Sequence, residues 1–152
     1  MHAPPTRVLM VCLGNICRSP MAEGILRQRA AEAGLNIEVD SAGTADYHVG
    51  EAPDRRAQQA LAEQGMDFSG LRGRQLKAAD FDTFDHILVM DRSNLRNTLA
   101  LARTEAQRQK VRLLLPDASE VPDPYYGEMD GFRALYHMLD DAVGQLLRNT
   151  LR

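Results

Sequence analysis

The chain has 152 residues, with 18 lysines and arginines against 21 aspartates and glutamates, so its formal net charge is −3. This length suits the single domain that we expect over residues 1–152, with a core large enough to need no disulfides. The acidic balance argues against a general nucleic-acid binder, no apolar run approaches the length of a membrane span, and two cysteines exclude a disulfide-dense scaffold.

The first predicted element is a strand at residues 8–11, a short apolar run typical of a strand buried on both faces. A helix should follow, because Ser19 can cap it, Pro20 suits its first position and Gly34 can end it. A second strand is predicted at residues 37–41.

The rest of the chain repeats this alternation after a loop at residues 45–53. The pattern predicts, in order, a helix, a strand, a helix start, a strand, a proline-rich loop and an amphipathic helix. They lie at residues 54–65, 85–90, 91–94, 111–115, 116–127 and 132–146. Strands that alternate with helices predict an α/β fold with a parallel sheet, whose active crevice lies at the carboxyl ends of the strands.

The N-terminal segment carries no export signal, because the apolar run before Cys12 is only four residues long. We therefore expect a cytoplasmic protein without membrane insertion. In that compartment thiols stay mostly reduced, so the close pair of Cys12 and Cys17 is expected to be chemical rather than structural.

Residues 12–20, Cys-Leu-Gly-Asn-Ile-Cys-Arg-Ser-Pro, run from the first strand through a loop into the first helix. Gly14 and Asn15 tolerate the left-handed backbone that lets successive N–H groups point into one concavity. The helix start adds the positive end of its dipole, and Arg18 adds a planar fork that matches two phosphate oxygens. The segment therefore predicts a binding loop for a dianionic phosphoryl group.

The same surroundings favour the thiolate form of Cys12, and Ser19 could donate a hydrogen bond to its sulfur. A thiolate beneath a phosphoryl group predicts attack on phosphorus and a phosphocysteine intermediate. Most cysteines that end a buried strand are small core residues instead, but the Cys-x5-Arg-Ser pattern favours the nucleophile. A zinc site would lack two ligands, and no Gly-x4-Gly-Lys-Ser/Thr motif occurs, so we expect neither a metal nor a nucleotide cofactor.

The leaving oxygen needs a proton, and Asp123 is the best candidate donor because Pro124 stiffens its loop. Asp117 and Asp130 are rival acids. Aromatic side chains that could line the pocket are Tyr125 and Tyr126 on one side, with Tyr47 and His48 on the other. An ordinary proline turn and an ordinary solvated loop remain the alternatives for these two segments.

Four segments together resemble the low-molecular-weight protein tyrosine phosphatases. These segments are residues 11–23, 41–44, 90–95 and 123–127. The resemblance spans nearly the whole chain and implies three layers, with a four-stranded parallel sheet flanked by helices on both faces and a phosphate-binding loop after the first strand. It also implies metal-free hydrolysis of phosphotyrosine in a phosphorylated protein substrate.

Position by position, the resemblance makes Cys12 the nucleophile, Arg18 the phosphate clamp and Asp123 the acid that later activates water. Asn15, Ser19 and Ser41 match residues that support the loop. The residues that match phosphate or substrate contacts are Leu13, Gly14, Asn15, Ile16, Cys17, Ser19, Tyr47, Tyr125 and Tyr126. Cys17 also matches a cysteine that pairs reversibly with the nucleophile under oxidants.

This sequence departs from the family pattern at two positions. Leu71 stands where many relatives have a histidine that supports the loop, and Tyr47 stands where many animal members have tryptophan.

Related arsenate reductases need further cysteines that this chain lacks, and protein-arginine phosphatases carry threonine at the position of Ile16. A non-catalytic phosphotyrosine-binding module and a redox sensor are the alternatives from other classes, and a monomer is favoured.

Overall fold

The computed structural model describes residues 4–151; residues 1–3, part of the segment searched for an export signal, and residue 152 lie outside the described residues. Its strands are β1 (Thr6–Cys12), β2 (Ile37–Gly43), β3 (His86–Val89) and β4 (Val111–Leu113). Its helices are α1 (Arg18–Glu32), α2 (Arg55–Ala62), α3 (Asp80–Thr83), α4 (Arg92–Leu99), α5 (Glu105–Arg108) and α6 (Met129–Asn149).

The four strands form one parallel sheet in the order β2-β1-β3-β4. Val8 in β1 pairs with Val39 on one side and with His86 on the other, which fixes the register of the central strands. Because all strands run the same way, their carboxyl ends meet at one edge, where the predicted phosphate-binding loop follows β1. The predicted four-stranded parallel sheet is confirmed.

Alternate residues of β1 face two separate apolar layers, as the period of a strand requires. Val8 and Met10 pack into the cluster that holds the buried faces of α1, α2 and α6. Leu9 and Val11 pack into a second cluster, with Phe81 of α3 and residues of α4. Helices therefore cover both faces of the sheet, which confirms the predicted three-layer architecture.

The start of α1 differs from the prediction, because Ser19 does not cap it. The helix begins at Arg18, and its N-cap is Cys17, which makes no side-chain capping bond. The Ser19 hydroxyl is engaged instead by Cys12 and Asn15, as described below.

Other predicted helix starts agree with the structure. The Asp54 carboxylate accepts from the Arg56 N–H at the start of α2, and that of Asp91 accepts from the Asn94 N–H at the start of α4. The short helices α3 and α5 were not predicted, because four residues carry too little periodicity. Among residues 4–151, no helix combines the length and apolar character needed to cross a membrane.

Candidate active site

The loop between β1 and α1 is held from beneath by the chain that follows β2. The Thr44 N–H donates to the Cys12 carbonyl at 2.9 Å, and the Ala45 N–H donates to the Leu13 carbonyl at 3.0 Å. Asn15 takes a left-handed conformation with φ of 58°, which reverses the chain within the loop. The chain is therefore bent back on itself between Cys12 and the start of α1.

The backbone N–H groups of residues 13–17 donate to no acceptor within the described part of the chain. These donors precede the N-terminus of α1, where the helix dipole adds positive potential. Because none of these donors is used within the described chain, they are available to an acceptor from outside the protein. A phosphoryl group with several oxygens fits that requirement.

A buried network of hydroxyl and amide groups lies against Cys12, the predicted nucleophile. The Asn15 amide nitrogen donates to the hydroxyl oxygens of Ser19 at 2.8 Å and Ser41 at 2.9 Å. The Ser19 oxygen lies 3.0 Å from the Cys12 sulfur. The Ser19 oxygen accepts from Asn15 and keeps one hydrogen that it can donate to the Cys12 sulfur. The three predicted support residues are thus brought together directly beneath Cys12.

The network continues to Glu23, a buried carboxylate that sequence reasoning did not single out. Ser41 donates to Glu23 Oε1 at 2.6 Å, and Arg27 donates to Glu23 Oε2 at 2.6 Å. Burial raises the pKa of the Glu23 carboxyl, while its bond to Ser41 and the charge of Arg27 act in the opposite direction.

Leu71 takes no part in this network. It occupies the position at which many relatives have a histidine that supports the loop. The backbone N–H of Arg74 donates to Asn15 Oδ1 at 3.0 Å, which fixes the orientation of that amide. The Arg74 side chain is itself held by Asp40 and Asp80. Glu23 on one side and Arg74 on the other thus support a loop that lacks the histidine.

Arg18 is buried and is held from behind. Its Nη1 donates to Asp91 at 2.8 Å and to the Val121 carbonyl at 2.9 Å. Its Nη2 lies 3.6 Å from the carboxylate of Asp123. The structure therefore directs one edge of the guanidinium toward Asp123 and anchors the other, and Asp91 is a second partner that the sequence did not reveal.

A cavity of about 280 Å³ lies above the loop. Its lining residues are Cys12, Leu13, Gly14, Ile16, Cys17, Arg18, Tyr47, His48, Asp123, Tyr125 and Tyr126. The sequence-predicted nucleophile, clamp, acid and aromatic residues therefore share one cavity. Tyr126 is 97% exposed and Tyr47 is 71% exposed, so these rings stand at its rim.

The rival acids lie elsewhere. Asp117 accepts from the N–H of Ser119, and Asp130 pairs with Arg133. Neither of the two carboxylates lines the cavity. Of the three candidate acids, only Asp123 lines the cavity that Cys12 also lines.

Cys17 also lines the cavity but differs in character from Cys12. Its thiol is buried at the N-cap of α1, and burial, together with the negative charge of Asp54, raises its pKa. The thiol form of Cys17 is therefore favoured at neutral pH. No cluster of three or more His, Cys, Asp or Glu side chains within residues 4–151 is arranged to hold a metal ion.

The family model described as "Low molecular weight phosphotyrosine protein phosphatase" matches residues 7–152. The chain belongs to this family. A phosphatase of that description from Schizosaccharomyces pombe is 43% identical over 151 residues, which cover 94% of this chain and 96% of the relative. The predicted family and enzyme class, a phosphoric monoester hydrolase, are confirmed.

Solved structures of two relatives share the fold of this phosphatase. The crystal structure of YfkJ from Bacillus subtilis superposes with a TM-score of 0.89 at 37% identity, covering 97% of this chain and 96% of the other. Vibrio vulnificus Wzb in complex with benzylphosphonate superposes with a TM-score of 0.86 at 29% identity, covering 94% and 97%. Both likenesses extend over almost the whole of each chain.

Proposed function

We propose that this phosphatase hydrolyses phosphotyrosine in proteins, and aryl phosphates, through a phosphocysteine intermediate on Cys12. The observation that carries the proposal is the position of Cys12. Its sulfur lies 3.0 Å from the Ser19 hydroxyl, at the base of a loop whose N–H groups find no acceptor within residues 4–151. A thiolate there faces a phosphoryl group that the loop and Arg18 would hold.

In the first step the Cys12 thiolate attacks phosphorus as the bond from phosphorus to the phenolic oxygen breaks. Asp123 gives its proton to the leaving oxygen. Arg18 and the loop N–H groups stabilise the equatorial oxygens as charge develops on them.

In the second step water attacks the phosphorus of phosphocysteine and the bond from phosphorus to sulfur breaks. Asp123, now ionised, accepts a proton from the water, while the thiolate of Cys12 leaves with its hydrogen bond from Ser19 restored. Inorganic phosphate is released, and both residues return to their starting protonation states.

The cavity walls support an aryl substrate. Tyr125 packs edge-on against Tyr126 with their ring centres 5.0 Å apart, and Ile16 adds a branched apolar surface below them. A flat phenyl ring suits such a wall better than a guanidinium does. The complex of Wzb with benzylphosphonate shows that a relative accepts a benzyl group bonded to phosphorus.

A cytoplasmic location and a monomeric state stay predictions.

Three variants test the mechanism with phenyl phosphate as substrate. Cys12→Ser should abolish turnover and keep binding of inorganic phosphate, measured by calorimetry. Asp123→Asn should lower kcat/KM by about 10²–10⁴-fold, the range of general acid catalysis. Asp130→Asn, which alters a carboxylate outside the cavity, is the control and should retain the wild-type rate. Turnover by Cys12→Ser, or an unchanged rate in Asp123→Asn, would refute the assigned roles.

A comparison of substrates tests the proposed specificity. Purified protein should hydrolyse a phosphotyrosine peptide with a higher kcat/KM than the matching phosphoarginine peptide. The reverse order would overturn the assignment of phosphotyrosine and leave the phosphocysteine chemistry intact.

A further inference from the structure

Arg56, on the first turn of α2, lies between the phosphate-binding loop and the loop that carries Asp123. Its Nη1 donates to the Gly127 carbonyl at 2.6 Å, and its Nη2 donates to the Tyr125 carbonyl at 2.8 Å. Its guanidinium also lies over the Phe132 ring, 4.5 Å from the ring centre. The Arg56 side chain thus donates hydrogen bonds to two carbonyls of the segment that follows Asp123.

The segment that Arg56 binds, residues 125–127, also holds the carboxylate of Asp123 in place. The N–H of Tyr125 donates to Asp123 Oδ1 at 3.1 Å, and the N–H of Gly127 donates to the Pro124 carbonyl at 2.8 Å. These two bonds close consecutive turns over residues 123–127. Because Arg56 binds the carbonyl of the same residue whose N–H holds Asp123, a displacement of Arg56 would move the acid.

The other side of Arg56 is anchored to the phosphate-binding loop. Asp54 accepts from Arg56 at 3.0 Å and 2.9 Å through its two carboxylate oxygens. The backbone N–H of Asp54 donates to the Ile16 carbonyl at 2.8 Å. The hydrogen bonds from Arg56 hold the pKa of the Asp54 carboxyl below its usual range, so the pair stays ionised at neutral pH.

We propose that Arg56 is a positioning residue, which sets the distance between Asp123 and the nucleophile loop by joining Tyr125 and Gly127 to Asp54. The inference rests on the proposed function, since it assigns Asp123 the role of general acid. Arg56 does not line the cavity and would touch neither the phosphate nor the leaving group. Its effect should therefore pass through the proton that Asp123 transfers.

Substrates with different leaving groups distinguish a positioning role of Arg56 from a general structural role. Phenol leaves as a poor anion and needs the proton, whereas a dinitrophenolate leaves without one. In Arg56→Gln, kcat/KM for phenyl phosphate should fall about tenfold to a hundredfold, the effect of a small misplacement of a catalytic group. For dinitrophenyl phosphate kcat/KM should stay within about threefold of wild type, since nucleophile and clamp are untouched.

Matched variants keep the test interpretable. Arg55→Gln removes the same charge from the adjacent position, where the side chain is exposed, and should match wild type with both substrates. Arg56→Lys can reach one carbonyl and should recover part of the phenyl phosphate activity. Asp54→Asn retains an oxygen to cap α2 but loses the charge that orients Arg56, so it should show the same leaving-group dependence even if Arg56→Gln folds poorly.

Asp123→Asn, assayed beside these variants, separates the two assignments. Leaving-group dependence in Asp123→Asn together with an equal loss on both substrates, or no loss, in Arg56→Gln would overturn the positioning role alone. Absence of the dependence in Asp123→Asn would refute the acid assignment and this inference with it.

Discussion

Glu23 is a buried charge that takes no part in the proposed chemistry. It accepts hydrogen bonds from Ser41 and from Arg27, and burial raises the pKa of its carboxyl. When ionised it forces the Ser41 hydroxyl to donate to it, which leaves the Ser41 oxygen to accept from Asn15. The hydrogen bonds that join Glu23, Ser41 and Asn15 then each have one direction.

The raised pKa of Glu23 predicts how its contribution to stability changes with pH. A carboxyl with a folded pKa above the unfolded one stabilises the fold fully below the unfolded value, about 4.3. That stabilisation is lost as the pH rises through the folded pKa. The free energy of unfolding of wild type, measured in urea, should therefore decline relative to that of Glu23→Gln as the pH rises above about 4.

A second carboxylate on α1 provides the opposite control. The hydrogen bond from Arg29 lowers the pKa of the exposed Glu32 carboxyl, so its contribution is present above the unfolded pKa and lost as the pH falls. Wild type should therefore gain stability relative to Glu32→Gln as the pH rises. A difference between wild type and Glu23→Gln that stays constant with pH would contradict the role given to burial.

Cys17 carries a second prediction at this scale. We expect peroxide to oxidise Cys12 to the sulfenic acid and the Cys17 thiolate then to attack that sulfur, forming the S–S bond and releasing hydroxide. Because burial raises the pKa of Cys17, its thiolate is scarce at neutral pH and disulfide formation should accelerate toward about pH 9. The activity that a thiol reductant recovers after peroxide should increase over that range.

After peroxide treatment, Cys17→Ser should not recover activity with a thiol reductant at any pH tested. Mass spectrometry that finds only sulfonated Cys12 in treated wild type would refute the protective role of Cys17.

The predicted residues of the loop after β1 lie together because they are close in sequence. Cys12 and Arg18 belong to one loop and one helix start, so their proximity follows from local spacing. Asp91, Arg74 and Glu23 were missed because their partners lie 18 to 73 residues away, where no local pattern records a contact. The leucine at position 71 indicated that the histidine support is missing. It did not indicate that Glu23 and Arg74 support the loop.

Among the elements, the end of β2 limits the shape of the phosphate-binding loop. A Cβ at Gly43 would lie 2.8 Å from the Leu13 carbonyl oxygen and 3.2 Å from the carbonyl carbon of Gly14. Both contacts are with backbone, which cannot rotate away. The loop and the strand can approach this closely only because position 43 has no side chain.

Gly43→Ala should therefore displace the loop. We expect a loss of about 1–3 kcal/mol in the free energy of unfolding, as for overpacked sites, together with at least a tenfold lower kcat/KM. Gly70→Ala is the control, because a Cβ there meets nothing within 4 Å, and it should change stability by no more than about 0.5 kcal/mol. Wild-type kinetics in Gly43→Ala would show that the close approach is not needed.

The sequence predicted the long elements well and their ends less well. β1 and β2 extend beyond the predicted apolar runs because Thr6 and Gly43 pair through backbone groups that no side-chain pattern reports. The Ser19 cap was wrong for a related reason, since the hydroxyl has better partners in Cys12 and Asn15 than the helix N–H groups.

Across the whole molecule, α6 contributes the longest apolar face to the layer below the sheet. Leu139 of α6 is completely buried in that layer and does not line the active-site cavity. The alternation of strands and helices predicted the fold class. It did not predict which helix covers which face, because both faces of a central parallel strand are apolar. A single domain stays a prediction.

Leu139→Ala should lower the free energy of unfolding by about 2–5 kcal/mol, as a large cavity in a core does. Below its melting temperature the variant should keep the wild-type KM for phenyl phosphate. Leu101→Ala, at a position that is 40% exposed, should cost no more than about 0.5 kcal/mol. A raised KM in Leu139→Ala would show that the core and the cavity are coupled.

The strand order has a consequence for how the molecule opens. β1 has a hydrogen-bonded neighbour on each side, so the amide protons of Val8 to Val11 should exchange with solvent only when the whole protein unfolds. Residues 123–127 belong to no strand or helix and should exchange through smaller local openings. Cys12, at the end of β1, would then keep its place while the loop that carries Asp123 opens locally.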